Sequence, residues 1–187
     1  MRLFVAVDLP PSLRAGLDRL QRRLREGEPG WRWVRPASIH LTLRFLGEVD
    51  EQRAAASHVA WQAAAATAEP FVVDVGGVGC FPPRGQPRVL WVGIDDADGR
   101  LARLAGAVDA GAVEAGFQPE RRPFRGHLTL ARAARDGRPP RPEVDADATA
   151  PLPVDELVLF RSELLPTGAR YTALARFPLG RGGATER

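Results

Sequence analysis

A chain of 187 residues, 44% of them hydrophobic and 26% charged, is long enough for one domain or two small lobes sharing a core, and too apolar to be disordered. A single cysteine, Cys80, excludes a disulfide framework and a cysteine-built metal site, and no stretch approaches the ~20 consecutive apolar residues of a membrane helix. The formal net charge of +3, whose basic side is arginine alone, permits an anionic partner without demanding one.

Residues 3–9 read as a strand that Pro10-Pro11 ends; the run is too short for a signal peptide, so the expected compartment is the reducing cytoplasm. Ser12 is placed to cap a helix in which Leu13, Leu17, Leu20 and Leu24 share one face, closing near Gly27 and Pro29-Gly30. Trp31 to Val34 alternates like a strand, and Pro36 begins a turn. A strand over about 38–46 follows and carries His40-Leu41-Thr42-Leu43. Asp50 caps an Ala-rich helix expected over 51–68, with His58 on its solvated face and Pro70 as its stop.

Residues 71–75 form a strand, Gly76-Gly77-Val78-Gly79 a bulge or turn, 81–87 a loop and 88–94 a strand. A helix capped within 95–98 buries Leu101, Leu104, Ala105 and Val108 and ends before Gly116. Residues 117–122 read as a short strand or loop leading into a second strand, His127-Leu128-Thr129-Leu130. The Arg- and Pro-rich stretch 133–150 has no apolar period and reads as a surface loop. Strands over 157–160 and 171–177 are joined by a turn at 166–168, and 181–187 is a frayed tail.

The repeated tetrapeptide organises this list. Residues i and i+2 of a strand share a face, so each copy sends two leucines to a core and one imidazole with one hydroxyl to the other side. The two histidines stand 87 residues apart. The same offset superposes Leu3-Phe4-Val5-Ala6-Val7-Asp8 on Leu90-Trp91-Val92-Gly93-Ile94-Asp95, and Arg35-Pro36 on Arg122-Pro123. Strand, helix, Arg-Pro and His-x-Thr therefore recur in one register. The expected chain is a single unit over 1–180 with pseudo-symmetric halves of about 1–87 and 88–180, each giving one His-x-Thr strand to a shared cleft.

Two imidazoles near neutral pH divide acid and base work between them, and threonine hydroxyls hydrogen-bond phosphoryl oxygens as charge builds on them. Two histidines without a convergent Cys, Asp or Glu make a poor zinc site, and no serine sits in a nucleophile elbow. Acid–base catalysis on a phosphodiester without a metal or other cofactor is the reading that remains.

The stretches His40-Leu41-Thr42-Leu43-Arg44-Phe45-Leu46-Gly47 and His127-Leu128-Thr129-Leu130-Ala131-Arg132 resemble the paired motifs of the two-histidine (2H) phosphoesterase superfamily. Within it the chain resembles, nearly end to end, the bacterial RNA 2′,3′-cyclic phosphodiesterases, also called 2′-5′ RNA ligases. The resemblance implies a bilobal α+β fold, antiparallel sheets lining a central cleft with helices outside. It implies hydrolysis of a 2′,3′-cyclic phosphate to a 2′-phosphomonoester, and reversal of that chemistry as 2′-5′ ligation. By the same resemblance His40 is the proton donor, His127 the proton acceptor, and Thr42 and Thr129 hold the non-bridging oxygens. Arg132 adds a charged donor to the phosphate. Arg44 is a rim charge, with contact to substrate as the alternative, and Tyr171 is a candidate for stacking a base. Phe4, Trp33 and Trp91 are further stacking candidates, although core packing is the commoner use of each. The one departure from the motif is Gly126, where members commonly carry Pro.

The expected partner is an RNA end bearing a cyclic phosphate, met by a monomer away from any membrane. Two rival readings stand beside it: an RNA-end binding module without turnover, and an enzyme of the same superfamily acting on another small cyclic nucleotide phosphate.

Overall fold

The computed structural model describes residues 1–25, 30–135, 137–141, 150–165 and 168–180. In chain order its elements are β1 (Arg2–Val7), α1 (Pro11–Arg25), β2 (Trp31–Trp33), β3 (Leu41–Glu48), α2 (Glu51–Ala56), α3 (His58–Ala65), β4 (Phe71–Phe81), β5 (Val89–Asp95), α4 (Arg100–Glu114), β6 (His127–Ala133), β7 (Leu152–Val154), β8 (Glu156–Leu165) and β9 (Gly168–Pro178). They build two antiparallel sheets, ordered β3-β1-β8-β9 and β2-β6-β5-β4-β7. Sheet membership does not follow chain order: β2 crosses to the edge of the second sheet, and β8 and β9 return to the first. Among the described residues no helix is long and apolar enough to cross a membrane.

The continuous apolar run of β1 follows from burial on both faces. Leu3, Val5 and Val7 join the main core with Leu13, Leu17, Leu20 and Leu24 of α1. Phe4 and Ala6 point the other way and form a smaller cluster with Val158, Phe160 and Tyr171. That second cluster lies beneath the cleft.

The 87-residue correspondence has a structural counterpart. β1 lies beside β3 and β5 beside β6, each pair antiparallel. The registers are not identical: Val5 faces Arg44 where its counterpart Val92 faces Leu128, and Ala6 faces Thr42 where Gly93 faces His127, because each pair is interrupted by bulges.

Several expectations needed revision. Helix α1 begins at Pro11, and the Arg14 amide bonds the Pro10 carbonyl at 3.1 Å, so Ser12 sits inside the first turn rather than capping it. Proline suits that position because its missing N–H has no intrahelical partner there. The Ala-rich helix is two helices that meet at Ser57, whose buried hydroxyl donates to the Ala54 carbonyl and accepts from the Trp61 indole. His58 is half-buried rather than fully solvated, its ring packing edge-on against Phe177. The Gly76-Gly77-Val78-Gly79 stretch is the bulge of the two alternatives, centred at Gly77, and β4 runs through it to Phe81. Gly79 has no room for a side chain, since a Cβ there would lie 2.3 Å from the Trp91 indole. Of the two alternatives for residues 117–122 the loop is the one found, and β7 is an edge strand the sequence did not announce. The turn at 166–167 and the tail 181–187 lie outside the described residues. Asp50 caps α2 as expected through the Arg53 amide, and the Asp96 carboxylate caps α4 through the amides of Leu101 and Ala102.

Candidate active site

Both His-x-Thr segments reach one cleft of about 660 Å³, lined by His40, Thr42, His127, Thr129 and Arg132 together with Phe4, Phe45 and Tyr171. The leucines between them, Leu41, Leu43, Leu128 and Leu130, go to the core as strand alternation requires. His40 is the residue immediately before β3, and His127 is the first of β6.

Each imidazole is oriented the same way. His40 Nδ1 lies 3.0 Å from the Ser38 carbonyl, and His127 Nδ1 lies 2.7 Å from the Arg125 carbonyl. Those two carbonyls are themselves 87 residues apart. A carbonyl accepts only, so Nδ1 carries the hydrogen in both rings and Nε2 is left with its lone pair. The backbone therefore selects the tautomer that offers Nε2 for proton transfer.

A matching pair of bulges decides which side chains follow the histidines into the cleft. Val5 pairs with Arg44 and Ala6 with Thr42, so Leu43 has no partner on β1. Leu90 pairs with Ala131 and Trp91 with Thr129, so Leu130 has none on β5. These are equivalent positions of the repeat. One extra residue reverses the alternation beyond it. Phe45 and Arg132, again 87 apart, turn to the cleft, and Arg44 and Ala131 turn away. The Leu130 carbonyl freed by the second bulge accepts from the Val34 amide at 2.8 Å and from buried Gln21 Nε2 at 2.9 Å.

Arg44 is accordingly not brought to the cleft. It is 8% exposed and forms ion pairs with Asp109 at 2.9 Å and Glu120 at 3.2 Å, while donating to the Gln118 carbonyl. It ties β3 to α4. Arg44→Ala is expected to cost about 1–3 kcal/mol of stability, the partners being partly exposed, and to leave kcat within twofold of wild type. A melting curve beside a turnover assay checks both; a large fall in kcat with unchanged stability would return Arg44 to the substrate.

The surroundings of the two rings differ. Phe4 stacks on His40 at 4.5 Å between centroids, Tyr171 meets it edge-on at 4.9 Å, and Phe160 closes the far side at 6.2 Å. Among the described residues His127 has one aromatic neighbour, Phe81, edge-on at 5.1 Å. Beneath His40, Arg14 donates to the carbonyls of Leu9, Pro36 and Ile39 and forms an ion pair with Asp8. That clamp holds the turn Pro36–Ser38 from which His40 projects. The repeat places Leu101 opposite Arg14, so His127 has no equivalent.

Burial pushes the His40 imidazole down to about 4. The Ser38 carbonyl and Asp8 oppose that shift, and the charges of Arg14 and Arg132 add to it. His127 is also lowered, first by burial and then by Arg132, against the Arg125 carbonyl. Both rings are thus neutral at pH 7.

Of the other sequence candidates, Tyr171, Phe4 and Trp33 line the cleft, and Trp91 packs against Phe81 instead. Gly126 is a close-approach glycine, because a Cβ would come within 3.1 Å of Leu101 and 3.2 Å of Ile94. Sequence reading missed Phe160, Phe81, Phe45, Arg14 and Arg32. A buried-type glutamine on the apolar face of α1, Gln21, was a readable signal for the bulge it supports. Among the described residues no three His, Cys, Asp or Glu side chains gather as a metal-binding group.

An imidazole pair with free Nε2 atoms, flanked by hydroxyls and a guanidinium, is equipped to move protons around a phosphate ester. The model of the LigT like phosphoesterase family matches residues 7–91 and 92–171, and the chain belongs to that family. It is 35% identical over 184 residues to an RNA 2′,3′-cyclic phosphodiesterase of Archaeoglobus fulgidus, covering 95% of this chain and 99% of the relative. A crystal structure from Thermus thermophilus superposes with a TM-score of 0.81 at 36% identity, covering 96% of this chain and 98% of the other. The crystal structure of E. coli LigT complexed with 3′-AMP superposes at 0.74 with 29% identity and the same coverages. The bilobal α+β architecture is that of these phosphoesterases.

Proposed function

We propose that the protein is an RNA 2′,3′-cyclic phosphodiesterase that opens the cyclic phosphate to a 2′-phosphomonoester. The observation that carries the reading is the pair of imidazoles in one cleft, each with Nδ1 engaged by a backbone carbonyl and Nε2 free. The name borne by the Archaeoglobus relative supports it.

In this reading His127 Nε2 takes a proton from water as the water oxygen bonds to phosphorus. The bond from phosphorus to the 3′ oxygen breaks, and His40 gives that oxygen its proton. Thr42 and Thr129 donate to the non-bridging oxygens, and Arg132 balances the charge gathering there. Tyr171 packs against His40 and offers an edge for the terminal base. The same sequence, with a 5′ hydroxyl in place of water, joins two ends through a 2′-5′ linkage. Every group in the scheme comes from one chain, which supports a monomer as the working unit, and the single cysteine supports a reducing cytoplasm.

The test is incubation with an oligonucleotide bearing a 2′,3′-cyclic phosphate, in EDTA, with the product isomer resolved. A 2′-phosphate formed at an unchanged rate is expected. Binding without turnover, or a 3′-phosphate product, would overturn the proposal. Rates for nucleoside cyclic phosphates in the same assay decide between an RNA end and a small nucleotide.

A further inference from the structure

Strand β2 is the outer edge of the second sheet, and its middle residue is the point of interest. Arg32 pairs directly with Arg132 of β6. Side chains opposite one another on antiparallel strands share a face with Cβ atoms about 4.5–5.5 Å apart, and like charges so placed repel. Both arginines line the cleft, and among the described residues neither guanidinium has a hydrogen-bond or ion-pair partner. Arg14, Arg44, Arg170 and Arg176, by contrast, all lie against carboxylates. Arg35, also at the cleft, is engaged with the Ala169 carbonyl. Two unpaired guanidiniums held side by side are relieved by phosphate, which takes both charge-assisted bonds.

The two differ in what they can reach. Arg132 lies near enough to both imidazoles to depress them, so it belongs to the reacting phosphate. Arg32 stands one strand further out, about 4.8 Å away in the plane of the sheet. A neighbouring phosphate on the same RNA strand arrives at such a position. We propose that Arg32 holds the phosphodiester 5′ of the terminal nucleotide, so that the cleft selects an oligonucleotide end over a mononucleoside cyclic phosphate. This rests on the phosphodiesterase reading and adds to it a second phosphate site and a minimum substrate length.

The experiment compares three substrates sharing one terminal nucleoside 2′,3′-cyclic phosphate: the mononucleoside, a dinucleotide, and the same dinucleotide with an uncharged methylphosphonate linkage. Wild type is expected to favour the charged dinucleotide over both others by about tenfold or more in kcat/KM, expressed in KM. In Arg32→Gln that ratio is expected to collapse to about one, and Arg32→Lys to restore part of it. Each ratio is measured within one protein, so partial misfolding does not disturb it. A wild-type ratio near one, or a ratio that survives Arg32→Gln, would overturn the assignment. Should none of the three turn over, the phosphodiesterase reading fails separately. Arg32 is then judged by binding, where equal affinity of wild type for charged and methylphosphonate dinucleotides would sink it.

Discussion

His40→Ala and His127→Ala are each expected to lower kcat by about 10²–10⁴, while the cyclic phosphate still binds within a few-fold of its wild-type affinity. The reason is geometric. Each imidazole presents one Nε2 to the cleft and spends Nδ1 on a backbone carbonyl, so no second group can assume its proton transfer. In the proposed scheme binding rests on Thr42, Thr129 and Arg132, which both variants keep. The double variant should be little worse than either single one, because the two protons move in one event. His40→Ala removes a ring packed between Phe4 and Tyr171 and is therefore the less stable protein of the two. A substrate with sulfur at the 3′ bridging position separates the roles. A thiolate leaves without protonation, so it should rescue His40→Ala and leave His127→Ala slow. Rescue of the opposite variant would exchange the two assignments, and turnover within tenfold of wild type in either would remove that histidine from the mechanism.

The asymmetry around the two rings bears on why they differ in role at all. The repeat makes the motifs equivalent, and their Nδ1 anchors are equivalent too. What separates them is the Asp8–Arg14 clamp and the aromatic box, both on the His40 side alone. A firmly held imidazole suits the group that must meet a leaving oxygen at one fixed position. In the proposed scheme the water handled by His127 can adjust to its base.

Much of this was legible in the sequence because it is local. Leucines at helical spacing wrote α1, and strict alternation within each tetrapeptide put the imidazole and hydroxyl on one face. The 87-residue offset joined the two copies. The part that was not legible lies in pairing between distant segments. Alternation alone carries Arg44 to the face of Thr42 and sends Arg132 to the face opposite Thr129. The bulges at Leu43 and Leu130 reverse both, and a bulge is a property of two strands together. The crossing of β2 into the second sheet is of the same kind, and it alone makes Arg32 a neighbour of Arg132. Ser57 shows a smaller case: a serine within an alanine run passes for a helical residue until its hydroxyl is seen bridging Ala54 and Trp61.

The pH dependence of kcat/KM is expected to be a bell whose maximum lies on the acid side of pH 6.5, with a loss of about tenfold per unit on the alkaline limb. The competent form carries one proton over the pair, on the acid and not on the base. Limbs of kcat/KM report the free enzyme, and there both imidazoles are lowered, His40 to about 4. Below both values the base is protonated and the rate falls. Above both the acid is empty and the rate falls again, so the optimum sits between values that are each below the ordinary 6.5 of histidine. The two limbs belong to the coupled pair and not to either ring alone. Once substrate is bound, its phosphate anion stands between the rings and favours their charged forms, so the bell for kcat should move to higher pH than the bell for kcat/KM. Arg132 lowers both rings, so Arg132→Gln should displace the kcat/KM bell towards alkali while reducing its height. Profiles of wild type and Arg132→Gln on one substrate test the whole chain of reasoning. A wild-type kcat/KM maximum above pH 7, or a displacement of the variant towards acid, would contradict the protonation scheme.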